Sequence, residues 1–216
     1  MFPRPDFFSG ARLNFAENLL FSPSSTIAEP DVAVITANEL DPDGVSTTWE
    51  ELREAVRRCS NRLRTAGVKP KDVVAGYLSN HVQALVVMLS SATIGAVWTG
   101  LGAEMGVSAV LDRLVQIGPK VLVCENGAFY NGKAWPAVDK NVQIVETLRE
   151  HGLRLVIVVE SLKGAELGLD LLRSNVEAVE EYEDFLRRYH HQWLCLQLFS
   201  GLLLTPQKLS RLTFAV

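Results

Sequence analysis

Cysteine is scarce in this 216-residue sequence: Cys59, Cys124 and Cys195 are the only three. They lie far apart and odd in number, which excludes a disulfide framework and any CxxC metal or redox pair. A continuous apolar leader is also lacking, because Pro3, Arg4, Pro5 and Asp6 interrupt the first ten residues; no secretory signal is expected there. These two absences together give the expectation of a reducing, cytoplasmic location. Charge of one sign is not in excess either. The formal net charge is −4 and the pI about 5.6, with acids and bases interspersed, so there is no electrostatic footprint for nucleic acid or an anionic membrane surface. No GxxxxGK[ST] phosphate loop occurs, and Gly100-Leu101-Gly102-Ala103-Glu104-Met105-Gly106 misses the GxGxxG spacing by one residue. His190 and His191 are adjacent and lack the i, i+4 geometry of a metal pair. Spacing assigns no catalytic residue and no metal ligand.

What is present suits small-molecule work. With 48% hydrophobic and 8% aromatic residues, the chain has enough apolar material for one large domain or two small ones. From Val82 to Ala103 there is no Asp, Glu, Lys or Arg, long enough for a bilayer span of about 20 residues. Gln83, Ser90, Ser91, Thr93 and three glycines dilute that run and no basic cluster flanks it. A buried helix followed by a buried strand explains it better.

The remaining patterns alternate between strand and helix. Val32, Val34 and Ile35 mark a strand over Asp31 to Ala37, and Asp41-Pro42-Asp43-Gly44 a hairpin or loop tip. Thr48-Trp49-Glu50-Glu51 has the Thr-x-x-Glu spacing of a capping box. The helix it starts carries the apolar stripe Leu52, Ala55, Val56, Cys59 and Leu63, turns Arg53, Arg57 and Arg58 outward, and stops at Gly67. Asp72 to Leu78 reads as the next strand, with Asn80 capping a helix through about Ile94, and Val97 to Leu101 as another strand. Val107 to Ile117 is helical, Gly118-Pro119 ends it, and Lys120 to Cys124 is again a strand. A loop around Asn126 to Pro136, a helix from about Val138 to His151 and the apolar run Leu155 to Val159 follow. Val176 to Arg188 is acidic and helix-prone, whereas His190 to Val216 has no clear period. The fold expected is α/β, a largely parallel sheet flanked by helices.

Tyr130-Asn131-Gly132-Lys133 is the polar cluster of most interest. Lys133 follows a glycine in a loop after a strand, where anion-binding groups often sit, although a plain surface loop has the same composition.

Several stretches resemble the acetoacetyl-CoA synthetase branch of the adenylate-forming enzymes, relatives of the acetyl-CoA synthetases. They are Phe8-Ser9-Gly10-Ala11-Arg12-Leu13-Asn14-Phe15-Ala16-Glu17-Asn18-Leu19-Leu20, Thr48-Trp49-Glu50-Glu51-Leu52 and Gly67-Val68-Lys69-Pro70-Lys71-Asp72-Val73-Val74. Ile94-Gly95-Ala96-Val97-Trp98, Gly106-Val107-Ser108-Ala109-Val110-Leu111-Asp112-Arg113 and Tyr130-Asn131-Gly132-Lys133 continue the series in the same order. Collinearity from Phe7 to Val159 is more specific than any one motif. Trp98 and Tyr130-Asn131 favour the acetoacetate over the acetate branch.

The resemblance implies an N-terminal subdomain of an enzyme that converts ATP, acetoacetate and CoA, with Mg²⁺, to acetoacetyl-CoA, AMP and pyrophosphate. It implies a partial AMP-dependent synthetase domain over residues 1–189 and an atypical tail over 190–216, with the family's ATP loop, its C-terminal catalytic lysine domain and part of its N-terminal region missing. A chain of this kind is expected to be inactive alone. By the same resemblance, Gly106, Tyr130, Gly132 and Lys133 would form a partial CoA surface. Gly102-Ala103-Glu104-Met105 departs from the family's Ser-Pro-Asp-Phe at that point. Three readings stay open: a ligase relative, a non-catalytic fragment that self-associates or pairs through uncovered apolar surface, and a membrane protein spanning at 82–103.

Overall fold

The computed structural model describes residues 13–21 and 28–187. Helix α1 (Phe15–Leu20) is capped by Asn14, whose side chain accepts from the Glu17 N–H; its Nδ2 also donates to the Ala92 carbonyl at 2.9 Å, tying the segment to the body. Strands β1 (Val32–Asn38) and β2 (Asp41–Thr48) form an antiparallel ribbon. Its turn is Glu39-Leu40, not the Asp-Pro-Asp-Gly stretch expected from composition. Asn38 Oδ1 accepts the N–H groups of Leu40 and Asp41 at 2.8 and 3.0 Å, an Asx turn. The proline and glycine are accommodated inside β2, where the register shifts between Thr36 and Asn38.

Thr48 closes the expected capping box of α2 (Trp49–Thr65). Leu52, Val56, Cys59 and Leu63 are buried as the stripe requires. Two arginines depart from it. Arg53 packs its guanidinium on the Phe21 and Trp49 rings and donates to the Leu20 carbonyl at 2.8 Å, so it clamps α1 instead of facing water. Arg62 is buried, donating to the Phe185 carbonyl at 2.9 Å and pairing with Glu180 at 3.2 Å.

Strands β3 (Val73–Tyr77), β4 (Val97–Leu101) and β5 (Val121–Glu125) alternate with helices α3 (Val82–Thr93) and α4 (Val107–Ile117). A hairpin, β6 (Gly127–Tyr130) and β7 (Lys133–Pro136), stands where a loop was expected. Asn131 and Gly132 have φ of 52° and 69°, the left-handed pair that a two-residue hairpin turn demands and that Asn-Gly supplies. Then come α5 (Val138–Leu148), a 3₁₀ turn (Arg149–His151), β8 (Leu155–Val159), α6 (Leu169–Arg173) and β9 (Ala178–Glu181). The acidic stretch after Val176 is thus a strand followed by a short helix, α7, over residues 182–187, instead of one helix. His190, His191, Cys195 and the rest of the tail lie outside the described residues.

Strand order is β4-β3-β5-β8-β9, all neighbours parallel. The period of two divides the core in half. Val74, Val121, Val123, Leu155 and Ile157 face the layer that holds α2, α3 and α7, while Ala75, Leu122, Cys124, Val156 and Val158 face α4, α5 and α6. Coverage on both faces explains the apolar runs. The uncharged stretch 82–103 is divided between α3 and β4, with the chain reversing at Gly95. Among the described residues no helix is long and apolar enough to cross a membrane. Trp98 lies over Gly76 of the neighbouring strand, where a Cβ would come within 2.8 Å of the indole Cζ2.

Candidate functional site

The chain passes from β3 through α3 to β4 on one side, then returns through α4 to β5 on the other. Connections therefore leave β3 and β5 toward opposite faces, and the crevice beyond their carboxyl ends is the switch point at which open α/β sheets bind ligands. Four segments meet there: Ser79 to His81 after β3, Glu125 and Asn126 at the end of β5, Ser161 and Leu162 after β8, and Asn141 of α5.

Glu125 holds them together. Its carboxylate accepts from Ser79 Oγ at 2.7 Å and Ser161 Oγ at 2.9 Å, and meets His81 Nε2 at 3.3 Å. His81 also caps α3, its Nδ1 accepting the Ala84 N–H at 3.4 Å, so the ring proton is on Nε2 and donates to Glu125. This displaces Asn80 as the expected cap; either residue type could serve, and the carboxylate beyond β5, invisible to local pattern, selects the histidine. Burial pushes the Glu125 carboxyl up, but the hydrogen bonds from His81, Ser79 and Ser161 outweigh it and hold the group below its ordinary value. Asn126 accepts the N–H groups of Ser161 and Leu162, both at 3.0 Å, and donates to the Leu162 carbonyl at 2.9 Å. Asn141 donates to the Glu125 carbonyl at 2.9 Å, while its buried Oδ1 has no donor. With its carboxylate fully buried and its oxygens shared among three donors, Glu125 positions loops and does not face a substrate.

The β6–β7 hairpin leaves directly from this network. At Gly127 a Cβ would meet the Trp135 carbonyl at 2.7 Å, so only glycine lets the strands approach at its base. Tyr130 pairs with Lys133 and Ala128 with Trp135, which puts Tyr130, Lys133 and Trp135 on one face of the ribbon. Both aromatic rings are mostly exposed, at 69% and 58%, and Trp135 Nε1 donates to the Tyr130 carbonyl at 3.2 Å. Trp135 was not singled out in the sequence; once Asn131-Gly132 is taken as a hairpin turn, alternation places it beside Tyr130.

The structure thus brings Tyr130, Gly132 and Lys133 together on one hairpin. Gly106 stands apart as the N-cap of α4, beyond β4, at the same carboxyl edge but on the far side of β3 from the strand that leads into the hairpin. The loop before it, where the sequence departs from Ser-Pro-Asp-Phe, is held by the Tyr77 hydroxyl, which lies 2.6 Å from the Met105 carbonyl and 3.2 Å from that of Ala103. At the hairpin tip, the Glu39 carboxylate accepts the N–H groups of Asn131 and Gly132 at 2.8 and 2.9 Å. Among the described residues no group of three or more His, Cys, Asp or Glu could hold a metal ion.

The chain is similar to known proteins in sequence and fold. The profile of the family described as AMP-binding enzyme matches residues 27–184. Malonamoyl-CoA synthetase vrtB of Penicillium aethiopicum is 42% identical over 167 residues, 77% of this chain and 23% of that protein. Acetoacetyl-CoA synthetase of Gallus gallus is 36% identical over 182 residues, 84% of this chain and 26% of that protein. The solved structure of acetoacetyl-CoA synthetase from Streptomyces lividans superposes with a TM-score of 0.68 at 32% identity, covering 81% of this chain and 25% of that one. The chain spans about a quarter of the length of these relatives. Its parallel sheet, its collinear motifs and a profile match over most of its residues place the chain in the AMP-binding enzyme family, with the N-terminal part of the acetoacetyl-CoA synthetases as its counterpart.

Proposed function

We propose that this chain supplies the CoA-nucleotide face of an ATP-dependent acid–CoA ligase, and that the 216 residues by themselves do not turn over. The family reaction has two halves: ATP and the acid give an acyl-adenylate and pyrophosphate, then the CoA thiol displaces AMP. Mg²⁺ offsets phosphate charge in the first half. The observation that carries the reading is the exposed hairpin face, where Lys133 shares one side of the ribbon with Tyr130 and Trp135 beyond the carboxyl end of a parallel strand. Lys133 is suited to a CoA phosphate, and Tyr130 and Trp135 to the flat face of adenine. Gly106, bare and with open space around its Cβ position, would let a ligand approach the start of α4.

One observation supports inactivity: the buried Glu125 carboxylate at the switch point is already engaged by Ser79, His81 and Ser161. Adenylate formation requires oriented donors and cations around developing phosphate charge. The acid of the complete reaction would be a short carboxylic acid with a carbonyl at its third carbon, the chemistry common to acetoacetate and malonamate. Small soluble substrates fit a cytoplasmic setting.

Calorimetric titration of CoA into the wild-type chain and Lys133→Ala tests the binding half. Measurable CoA binding weakened about tenfold in the variant is expected, the loss of a charge-assisted contact worth roughly 1.4 kcal/mol; equal or absent binding rejects the role. Pyrophosphate release with ATP, Mg²⁺, CoA and acetoacetate tests the other half, and robust turnover by the purified chain would refute it.

A further inference from the structure

We propose that Glu39 occupies, from within the chain, an anion position at the tip of the β6–β7 hairpin, so that a phosphate group binds there only by displacing it. The proposal rests on the CoA-face reading for its physiological ligand, though not for its geometry. Asn131 and Gly132 are both left-handed, which leaves their consecutive N–H groups directed outward from the turn. The two oxygens of Glu39 take one each, at 2.8 and 2.9 Å. Two adjacent N–H groups holding both oxygens of a carboxylate form a cradle that suits two oxygens of a phosphate equally well. Lys133 follows in the chain and adds positive charge beside it.

Glu39 has the properties of a replaceable occupant. It lies in the two-residue turn of the β1–β2 ribbon, which Asn38 fixes independently through the Leu40 and Asp41 N–H groups. No ion pair involving it is found among the described residues. It is fully exposed, and the N–H groups of Gly132 and Asn131 hold its carboxyl below the ordinary range, so it remains an anion at neutral pH. When displaced it re-enters water without leaving a buried charge, and the incoming phosphate inherits both donors. The ribbon carrying Glu39 would then release the hairpin whenever the anion is bound.

The test is an NMR titration with inorganic phosphate, read at the Asn131 and Gly132 amides, of the wild-type chain, Glu39→Gln and Glu39→Ala. Amide dispersion of β1 and β2 confirms that the variants keep their fold. The expected result is phosphate affinity at least fivefold tighter in Glu39→Ala than in wild type, with Glu39→Gln in between. Equal affinity in all three, weaker affinity in the variants, or no response at those amides overturns the proposal and leaves Glu39 as a plain tie between two hairpins. CoA and dephospho-CoA titrations separate this from the ligand assignment. If phosphate behaves as expected while CoA binds none of the proteins, the CoA reading fails and the Glu39 proposal stands. If CoA binding depends on Lys133 but phosphate ignores Glu39, the reverse holds.

Discussion

The carboxyl end of the parallel sheet and the tips of the two hairpins differ in kind, although one leads directly into the other. At the sheet, Glu125 is enclosed and shared by Ser79, His81 and Ser161, and each loop it holds has further partners. At the tips, Glu39 meets Asn131 and Gly132 in open solvent, with no apolar contact required. A buried carboxylate with several donors is costly to disturb, because each stranded donor loses its partner without gaining water. An exposed carboxylate is exchangeable. The molecule therefore keeps rigidity where the hairpin is aimed and leaves freedom where a ligand would arrive.

Glu125→Ala should break this contrast most severely. It strands two hydroxyls and an imidazole N–H in a closed site, and unfolding by urea should show a loss of about 4 kcal/mol. Acid adds a second signature. Because the folded Glu125 carboxyl lies below the ordinary 4.5, its contribution is complete above that value and is lost as pH falls through the lower folded value. The stability gap between wild type and Glu125→Gln should accordingly stay constant from pH 7 down to about 4.5 and close only below it. A gap that closes near neutrality would mean that another group governs the network.

That buried network is also where the sequence was least legible. Strands β3, β4, β5 and β8 and helices α2, α3 and α4 announce themselves through period and capping, since each is a local pattern repeated over several residues. Glu125 is the last residue of a strand otherwise made of apolar side chains, and its partners come from 46, 44 and 36 residues away along the chain. Arg53 and Arg62 show the same difficulty from the other side. Helical period puts Arg53 outside and leaves Arg62 unassigned, whereas stacking on rings and a bond to a distant carbonyl bring both in. The hairpin failed for a different reason: Asn131-Gly132 is a strong turn signal, but its flanking strands are only four residues each and carry little alternation. Tyr130, Gly132 and Lys133 could still be put forward as candidates, because resemblance reads residues without needing their conformation.

Arg62→Met sharpens the comparison by removing a charge that anchors β9 and α7 instead of the switch point. Its guanidinium sits 4.9 Å from the Phe185 ring centroid, bonds the Phe185 carbonyl and pairs with Glu180, which is itself mostly buried. The methionine removes the ion pair, the carbonyl bond and the ring contact together, and a loss of about 3 kcal/mol is expected in the same urea experiment. Hydrogen exchange should accelerate in β9 and over residues 182–187, while the amides near Glu125 keep their protection. Acceleration spread evenly over the sheet would show that both ends unfold as one unit.

Gly132→Ala should have the smallest effect, and it bears most directly on the exposed region. At φ of 69° an alanine costs about 1 kcal/mol in backbone strain, and the Cβ itself meets nothing within 4 Å, so sterics beyond the backbone are not involved. If the tips are as independent of the core as their contacts indicate, the strain opens the turn locally. The global urea midpoint then moves less than in either other variant, while exchange at Tyr130, Asn131 and Lys133 rises. A global loss matching that of Arg62→Met would instead make the hairpin part of the cooperative core, and the division between a fixed aiming network and an exchangeable tip would have to be abandoned.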